Sequence, residues 1–335
     1  MFKKSTPSIS VCIPVYNSEQ YLEACLESVA HQTFKDFELV IVNDCSPAQN
    51  SEGLTCKSIL NKFKSKYKIP VNYIEHSKNK GLLETRRTAV IEARGKYIAA
   101  LDSDDMFTPT ALENLYQTAL STGADIVHGF SRSAVIENGN IEYTEKNKNG
   151  LIYIGTLENQ QILDIWLVLD KCTDSLWGKL IDRELYLNAL ENIPETCCNL
   201  GEDVIQYFFI TLAAKKYVGI QNHTIIYRIT SGMTADKPIT TLKEWEMHCS
   251  SASIFTIMYL WLENQLKKNG RYPISKIQYM RIQTISRFYL RKNLQTLENR
   301  VAAELKDGAM KMLKDYWGND FVENTQNKLK EQQNS

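Results

Sequence analysis

SISVCIPVYN at residues 8–17, FELVIVND at 37–44 and YIAALDSDD at 97–105 are the stretches that decide the fold. Each opens as a short apolar run rich in β-branched or aromatic residues, the composition of a buried strand. Each then stops at polar residues: Tyr16-Asn17, Asn43-Asp44 and Asp102-Ser103-Asp104-Asp105. Strands are therefore predicted over 8–15, 37–42 and 97–101, with two more over 71–74 and 125–130. Between them lie helical patterns. After the first strand, Tyr21, Leu22, Cys25, Leu26 and Val29 recur at helical spacing, and Asn17 with Gln20 fits a capping box. A lysine-rich helical segment precedes the third strand, and a helix over 84–92 precedes the fourth. Strands alternating with helices in this way imply βαβ units and an α/β fold with a mostly parallel sheet. In such a sheet ligands bind outside the carboxyl ends of the strands. Polar groups gather at those ends here, although Asn, Asp and Ser also serve ordinary turns.

Composition narrows the function. The chain has 335 residues, 43% of them hydrophobic, enough for one large domain or two smaller ones. Its 39 basic and 39 acidic residues balance, which argues against a general nucleic-acid binder. The eight cysteines form no CxxC pair and several sit in apolar runs, so a reducing, cytoplasmic setting without structural zinc is expected. Residues 1–10 lack the apolar core of a signal peptide, and the most apolar stretch, 254–262, falls far short of the ~20 residues a spanning helix needs.

Farther along the pattern is mixed. Asn138-Gly139-Asn140 reads as a hairpin turn, and helices are expected over 158–170 and 202–214. From about residue 241 the chain reads as helical, with a polar end over 325–335 that suits fraying.

Asp102-Ser103-Asp104 is a DxD triplet directly after an apolar strand. Two carboxylates at that spacing can reach one hard divalent cation, Mg²⁺ or Mn²⁺, whose remaining sites suit substrate phosphates. The same triplet alone would also serve as a strand-end turn ahead of Thr108-Pro109. Glu202-Asp203 opens an apolar helical stretch, where acids favour the positive end of the helix in any case.

The ordered set of motifs resembles glycosyltransferase family 2 of the inverting, bacterial type. The matching pieces are Ile13-Pro14-Val15-Tyr16-Asn17, Leu26-Glu27-Ser28-Val29 with Gln32-Thr33-Phe34, and residues 37–44. Asn79, Gly81 and Arg86 follow, then Gly95-Lys96-Tyr97-Ile98 leading into the DxD. Leu176-Trp177-Gly178-Lys179-Leu180 and Gly201-Glu202-Asp203 complete the set, which spans roughly residues 8–235. The resemblance implies a GT-A (Rossmann-like) fold with a C-terminal helical extension. It places a donor-binding half over 1–130, an acceptor-binding half over 131–235 and a helical region over 236–335. It also implies transfer of a sugar from a nucleotide diphosphate donor, a UDP-sugar first among them, to a hydroxyl of a glycan or lipid-linked acceptor.

Roles carried over by the resemblance fall on matching positions. Pro14, Tyr16, Asn17 and Glu19 would line the nucleoside pocket, and Asp44 would accept the imide N–H of uracil. Arg86 would sit near the diphosphate. Asp104 would be the principal ligand of Mn²⁺ or Mg²⁺, with Asp102 and Ser103 contacting metal, ribose or sugar. Asp203 would be the base, with Glu202 orienting it or binding acceptor. Trp177 and Lys179 would lie on the acceptor side, Trp177 either stacking on a sugar or packing in the core.

The chain departs from the family at Asn43, where an aspartate is common, at Cys45, where glycine is common, and at Arg87, where asparagine is common. Tyr227-Arg228 and Ser231 fit a loop able to close over the donor, and His223 is a candidate extra metal ligand against a satisfied surface histidine. Residues 265–292 carry eight Lys or Arg and no acid, interleaved with aromatics. That stretch suits either a peripheral contact with an anionic glycan, a polyprenyl phosphate or the inner membrane surface, or an ordinary solvated helix. Two other readings compete. A sugar nucleotidyltransferase needs a glycine-rich basic loop where Pro14-Val15-Tyr16-Asn17 stands. A non-catalytic sugar- or partner-binding protein on the same fold has no need of both acidic motifs.

Overall fold

The structure, a computed structural model, describes residues 6–137, 140–144, 150–229 and 238–333. The expected alternation is present. β1 (Ile9–Val15), α1 (Glu19–Ala30), β2 (Phe37–Asn43), α2 (Cys56–Lys66), β3 (Val71–Glu75), α3 (Leu82–Glu92) and β4 (Tyr97–Ala100) follow in order. These strands pair in parallel in the spatial order β3-β2-β1-β4. All seven residues of β1 and all seven of β2 are buried, which explains runs that are mostly apolar rather than alternating; the buried exceptions Ser10 and Glu38 bond each other at 2.7 Å. Successive side chains of β1 enter different cores. Ile9, Val11, Ile13 and Val15 pack with Leu22 of α1 and Leu60 of α2, while Cys12 joins Leu83 and Ala89 of α3.

Beyond β4 the sheet becomes mixed. It continues through β5 (Met106–Phe107), α4 (Ala111–Thr122), β6 (Ile126–Glu137), β7 (Asn140–Thr144), β8 (Gly155–Glu158), α5 (Gln160–Leu167), β9 (Lys179–Asp182), α6 (Arg183–Leu190), α7 (Glu202–Ala213) and β10 (Lys216–Arg228). β9 lies antiparallel between β4 and β6, and β10 runs parallel to β6. The strand predicted over 125–130 is longer than expected, because residues 131–134 go on pairing with β10. It also runs through residue 131, so the two predicted halves share one sheet. β6 and β7 pair antiparallel as a hairpin would, but Asn138 and Gly139 of the predicted turn lie outside the described residues, as does Ser231.

The C-terminal region is helical: α8 (Leu242–Cys249), α9 (Ser251–Asn269), α10 (Lys276–Arg300), α11 (Lys306–Trp317) and α12 (Asn319–Gln333). α12 corrects the expectation of a frayed end. Phe321, Val322 and Leu329 give it one apolar face, which packs into a core shared with Trp245, Leu290 and Leu313. Among the described residues no helix is long and apolar enough to cross a membrane.

Two family motifs act in the framework. Gln32 is fully buried and ties α1 to α4, donating to the carbonyls of Ser28 at 3.0 Å and Thr108 at 2.8 Å while accepting from Leu112 N at 3.1 Å. Gly95 lets the turn before β4 lie against β1, since a Cβ there would come within 2.5 Å of Ser10 N.

Candidate active site

The carboxyl ends of β1, β2 and β4 open into a cleft of about 850 Å³. Pro14, Tyr16, Asn17, Asp44, Asp102, Ser103 and Asp104 line it from the sheet. Trp177, Gly201, Glu202 and Asp203 line it from the other side. The acidic triplet and the acidic pair therefore face one space.

The turn after β1 is shaped for this. Asn17 has φ 53°, a left-handed conformation that Asn tolerates, and its N–H donates to Ser46 Oγ at 2.9 Å. The predicted capping box is absent. Ser18 is the N-cap of α1 but makes no cap bond; its hydroxyl lies 2.6 Å from Ser103 Oγ, pinning the β1 turn to the DxD loop. Glu19 departs from expectation as well. It is 1% exposed, does not line the cleft, and neither carboxylate oxygen has a partner among the described residues.

Asp44 is buried and held by the loop ahead of α3. Its Oδ1 lies 2.7 Å from His76 Nδ1 and accepts from Lys80 N at 2.8 Å, while Oδ2 accepts from Gly81 N at 2.9 Å. A carboxylate oxygen can accept twice, so these bonds fix Asp44 and leave Oδ2 capacity for one more donor. The neighbouring departures are accommodated. Asn43 binds Ser46 N and the Tyr73 hydroxyl, and Cys45 takes φ 56°, the conformation for which glycine is suited.

Arg86 is the residue the sequence placed least well. Its guanidinium does not line the cleft but lies beneath it, 4% exposed, between the two acidic motifs. Nη2 donates to Asp102 Oδ1 at 2.7 Å, and Nη1 donates to Glu202 Oε1 at 2.9 Å and to Asp203 Oδ1. Burial alone would lower the Arg86 pKa, but Asp203, Asp102 and Glu202 outweigh it and hold the guanidinium firmly charged. Arg87 turns away, donating to Glu84 and to the carbonyls of Leu190 and Ile193 at the end of α6.

One cation among three carboxylates leaves an excess of negative charge in a poorly solvated place. Burial, with the Asp203 charge next, pushes the Glu202 carboxyl up to about 8, against the opposing pull of Arg86. Burial also pushes Asp203 up to about 6, with Arg86 opposing and Asp102 reinforcing the shift. Asp105, behind the triplet, is raised by burial and by Asp104; its Oδ1 accepts from Arg228 N at 2.8 Å. Arg228 also donates Nε to the Asp104 carbonyl at 3.0 Å. Tyr227 and Arg228 belong to β10, and Arg228 braces the DxD loop, correcting the reading of them as part of a closing loop.

Trp177 packs in the core, buried and stacked on Tyr227 with ring centroids 5.6 Å apart, and one part of it lines the cleft. Lys179 does not line the cleft. It is 1% exposed, donates to the carbonyls of Thr173 at 3.0 Å and Ser175, and lies over the Tyr207 ring, so an acceptor contact is corrected to a structural one. His223 also lies off the cleft, its ring against Phe130. The sequence marked residues 265–292 as basic and aromatic but did not place them at the cleft, where α10 supplies Arg281, Phe288, Tyr289 and Lys292 to the wall.

The profile of glycosyl transferase family 2 matches residues 10–182, the span from β1 through β9. The chain belongs to glycosyl transferase family 2. The glycosyltransferase GlyA of Streptococcus pneumoniae is 31% identical over 232 residues, covering 67% of this chain and 31% of its own length. This chain thus spans about a third of that relative. The structure of S. aureus TarS residues 1–349 in complex with UDP-GlcNAc matches with a TM-score of 0.53 at 18% identity, covering 92% of this chain and 89% of that one. The mannosyltransferase PcManGT of Pyrobaculum calidifontis, solved with GDP-Man and Mn²⁺, matches with a TM-score of 0.51 at 15% identity, covering 88% and 75%. At such identities the likeness is one of fold, and both neighbours share the GT-A-like sheet with its flanking helices.

Among the described residues no three His, Cys, Asp or Glu side chains converge as a self-sufficient metal site. That suits a family 2 cleft only for an ion held by one or two carboxylates and completed by substrate oxygens, the habit of Mg²⁺ at phosphates.

Proposed function

We propose that this chain is an inverting glycosyltransferase that moves a sugar from a UDP-sugar to a hydroxyl of a glycan or lipid-linked acceptor. The observation that carries the reading is the shared guanidinium of Arg86, which holds Asp102 and Asp203 at facing walls of one cleft. A donor lying along the sheet ends would place its nucleoside against Pro14, Tyr16 and Asp44 and its diphosphate by the triplet. The anomeric carbon would then face the acidic pair.

Asp203 acts as the base. With its pKa at about 6 the carboxyl is mostly ionised at neutral pH and still basic enough to take a proton from the acceptor hydroxyl as that oxygen attacks. The bond from the anomeric carbon to the diphosphate breaks on the opposite side, giving inversion in a single displacement. Glu202, whose carboxyl pKa is raised by burial, accepts from Arg86 and offers the acceptor a polar contact. Asp104, with Asp102, would hold Mn²⁺ or Mg²⁺, which when bound neutralises charge on the departing diphosphate. Support for the ion comes from the oxygen donors at the cleft and from the Mn²⁺ complex of PcManGT.

The test is thermal unfolding with UDP-, GDP- and dTDP-sugars, each with and without Mn²⁺. A ligand bound only by the folded state raises the melting temperature, by RT ln(1 + [L]/Kd) in free energy. A Mn²⁺-dependent rise with a UDP-sugar, lost in Asp104→Asn, is expected. No rise with any nucleotide sugar would sink the proposal.

A further inference from the structure

Five α10 residues lie on one stripe of the helix: Arg281, Thr284, Ile285, Phe288 and Lys292, spaced i, i+3, i+4, i+7 and i+11, and all of them line the cleft. The stripe begins its function where the acidic pair stands. Tyr289, beside it, packs on Gly201, where a Cβ would come within 3.1 Å of the Tyr289 ring; Glu202 and Asp203 are the next two residues. An acceptor hydroxyl delivered to Asp203 must therefore carry the rest of its chain along a wall built by α10. That wall has unusual chemistry for solvent. Phe288 is 55% exposed, with Lys292 Nζ 5.7 Å from its ring centre. Arg281 is anchored through Nε to the Leu167 carbonyl at 2.8 Å, which aims the guanidinium while leaving its terminal nitrogens without a hydrogen bond among the described residues. The backbone positions that carry the two cations lie about 16 Å apart along the helix, at about 1.5 Å per residue.

We propose that this stripe is an acceptor subsite for a chain bearing phosphate groups at intervals, with Arg281 and Lys292 each holding one phosphate and Phe288 lying under the segment between. The proposal rests on the transfer reading above. An anchored guanidinium offers paired donors that match a phosphate, and Lys292 serves as a point charge. The separation exceeds what a single headgroup can bridge, which favours a chain with repeated anions. Two acids, Asp170 and Asp174, share this part of the cleft. Asp174 has the buried Lys179 ammonium as a neighbouring countercharge. Arg287 lies on another flank of α10, in a separate aromatic hollow with Tyr259 and Phe321, so the basic stretch 265–292 does not form one charged face.

The experiment titrates the full chain with a labelled, soluble glycerol-phosphate oligomer and with maltohexaose of similar length, following anisotropy. The oligomer should bind at least tenfold more tightly, and its affinity should fall with salt. Lys292→Gln and Arg281→Gln should each weaken it about tenfold, Arg281→Lys less, and Arg287→Gln not at all. Equal affinity for the neutral and phosphate oligomers, or an equal loss in Arg287→Gln, overturns the subsite. So does binding to phosphatidylglycerol vesicles without binding to the oligomer, which makes the stripe a membrane contact. A wild-type protein that binds the oligomer in this pattern yet shows no melting shift with any nucleotide sugar refutes the transfer reading and leaves the anion site standing.

Discussion

Asp102 and Asp203 accept hydrogen bonds from the two terminal nitrogens of the same side chain, Arg86, whose third nitrogen, Nε, has no partner among the described residues. The loop that would receive the donor diphosphate and the helix start that would receive the acceptor are thus joined through one buried cation of α3. A charge so placed does two things at once. It offsets the repulsion of three carboxylates, and it limits how far burial can raise Asp203.

Arg86→Gln is therefore expected to lower stability by about 3–5 kcal/mol, since it leaves buried charges uncompensated. Urea unfolding at pH 7.5 measures it. Arg86→Lys should cost less, because a charge remains although the fork is lost. An Arg86→Gln protein as stable as the parent would show that the carboxylates do not depend on this ion pair.

The pH dependence of kcat/KM follows from the same geometry. Asp203 must be ionised to accept a proton, so the rate should fall as pH drops through about 6. Because the Arg86 charge lowers the Asp203 pKa, Arg86→Gln should move that limb to higher pH, while Arg86→Lys, which keeps a charge, should move it less. Asp203→Asn should keep the donor-induced melting shift while losing about 10²–10⁴-fold in turnover. Turnover that survives the substitution would assign the proton to another group.

Glu202 contributes a stability effect of opposite sense to that of an ordinary salt-bridged acid. Its folded pKa of about 8 lies above the ordinary 4.5, so between those values the folded protein binds more protons than the unfolded chain. Stability from this group is present at low pH and declines as pH rises through that window. Glu202→Gln removes the decline: its melting temperature, compared with the parent's, should gain steadily from pH 5 to pH 8.5. A constant difference across that range contradicts a raised Glu202 pKa.

Most of the sheet side of the cleft was legible in the sequence for a simple physical reason. β1, β2 and β4 are buried on both faces, so they are written as mostly apolar runs, and the polar residues that end them stand out. Arg86 was expected beside a diphosphate; the bridge it forms was not legible, because two of its partners, Glu202 and Asp203, come from α7, far along the chain. Lys179 misled for the reverse reason: its motif neighbour Trp177 does line the cleft, while the Lys179 side chain is buried within the fold. The α10 wall left only a hint. Its stripe is diluted by basic residues on every flank of the helix, and nothing local says which flank meets the cleft.

Cys45 offers a test of backbone strain in the donor loop. It holds φ 56°, where an L-residue other than glycine costs about 1–2 kcal/mol, and its side chain is exposed. Glycine relieves that strain but adds freedom to the unfolded chain worth about 0.4–1 kcal/mol. Cys45→Gly should therefore stabilise by about 0.5–1 kcal/mol, read as a higher urea midpoint at unchanged slope. A lower midpoint would mean that the Asp44–Ser46 turn needs the Cys45 side chain.

Lys179 separates a structural role from a binding one. Burial pushes its ammonium below the ordinary pKa, with Cys172, Asp174 and Asp203 acting in the opposite sense, and its hydrogen atoms go to the carbonyls of Thr173 and Ser175. Lys179→Met keeps much of the side-chain volume but leaves both carbonyls without this donor. A buried acceptor stripped of its partner costs about 1–3 kcal/mol, and the segment it tethers, residues 173–175, lines the cleft. The variant should therefore unfold at lower urea while keeping the melting shift that a UDP-sugar produces. If Lys179 instead contacted acceptor directly, stability would hold and KM for the acceptor alone would rise, so the two measurements together decide between the roles.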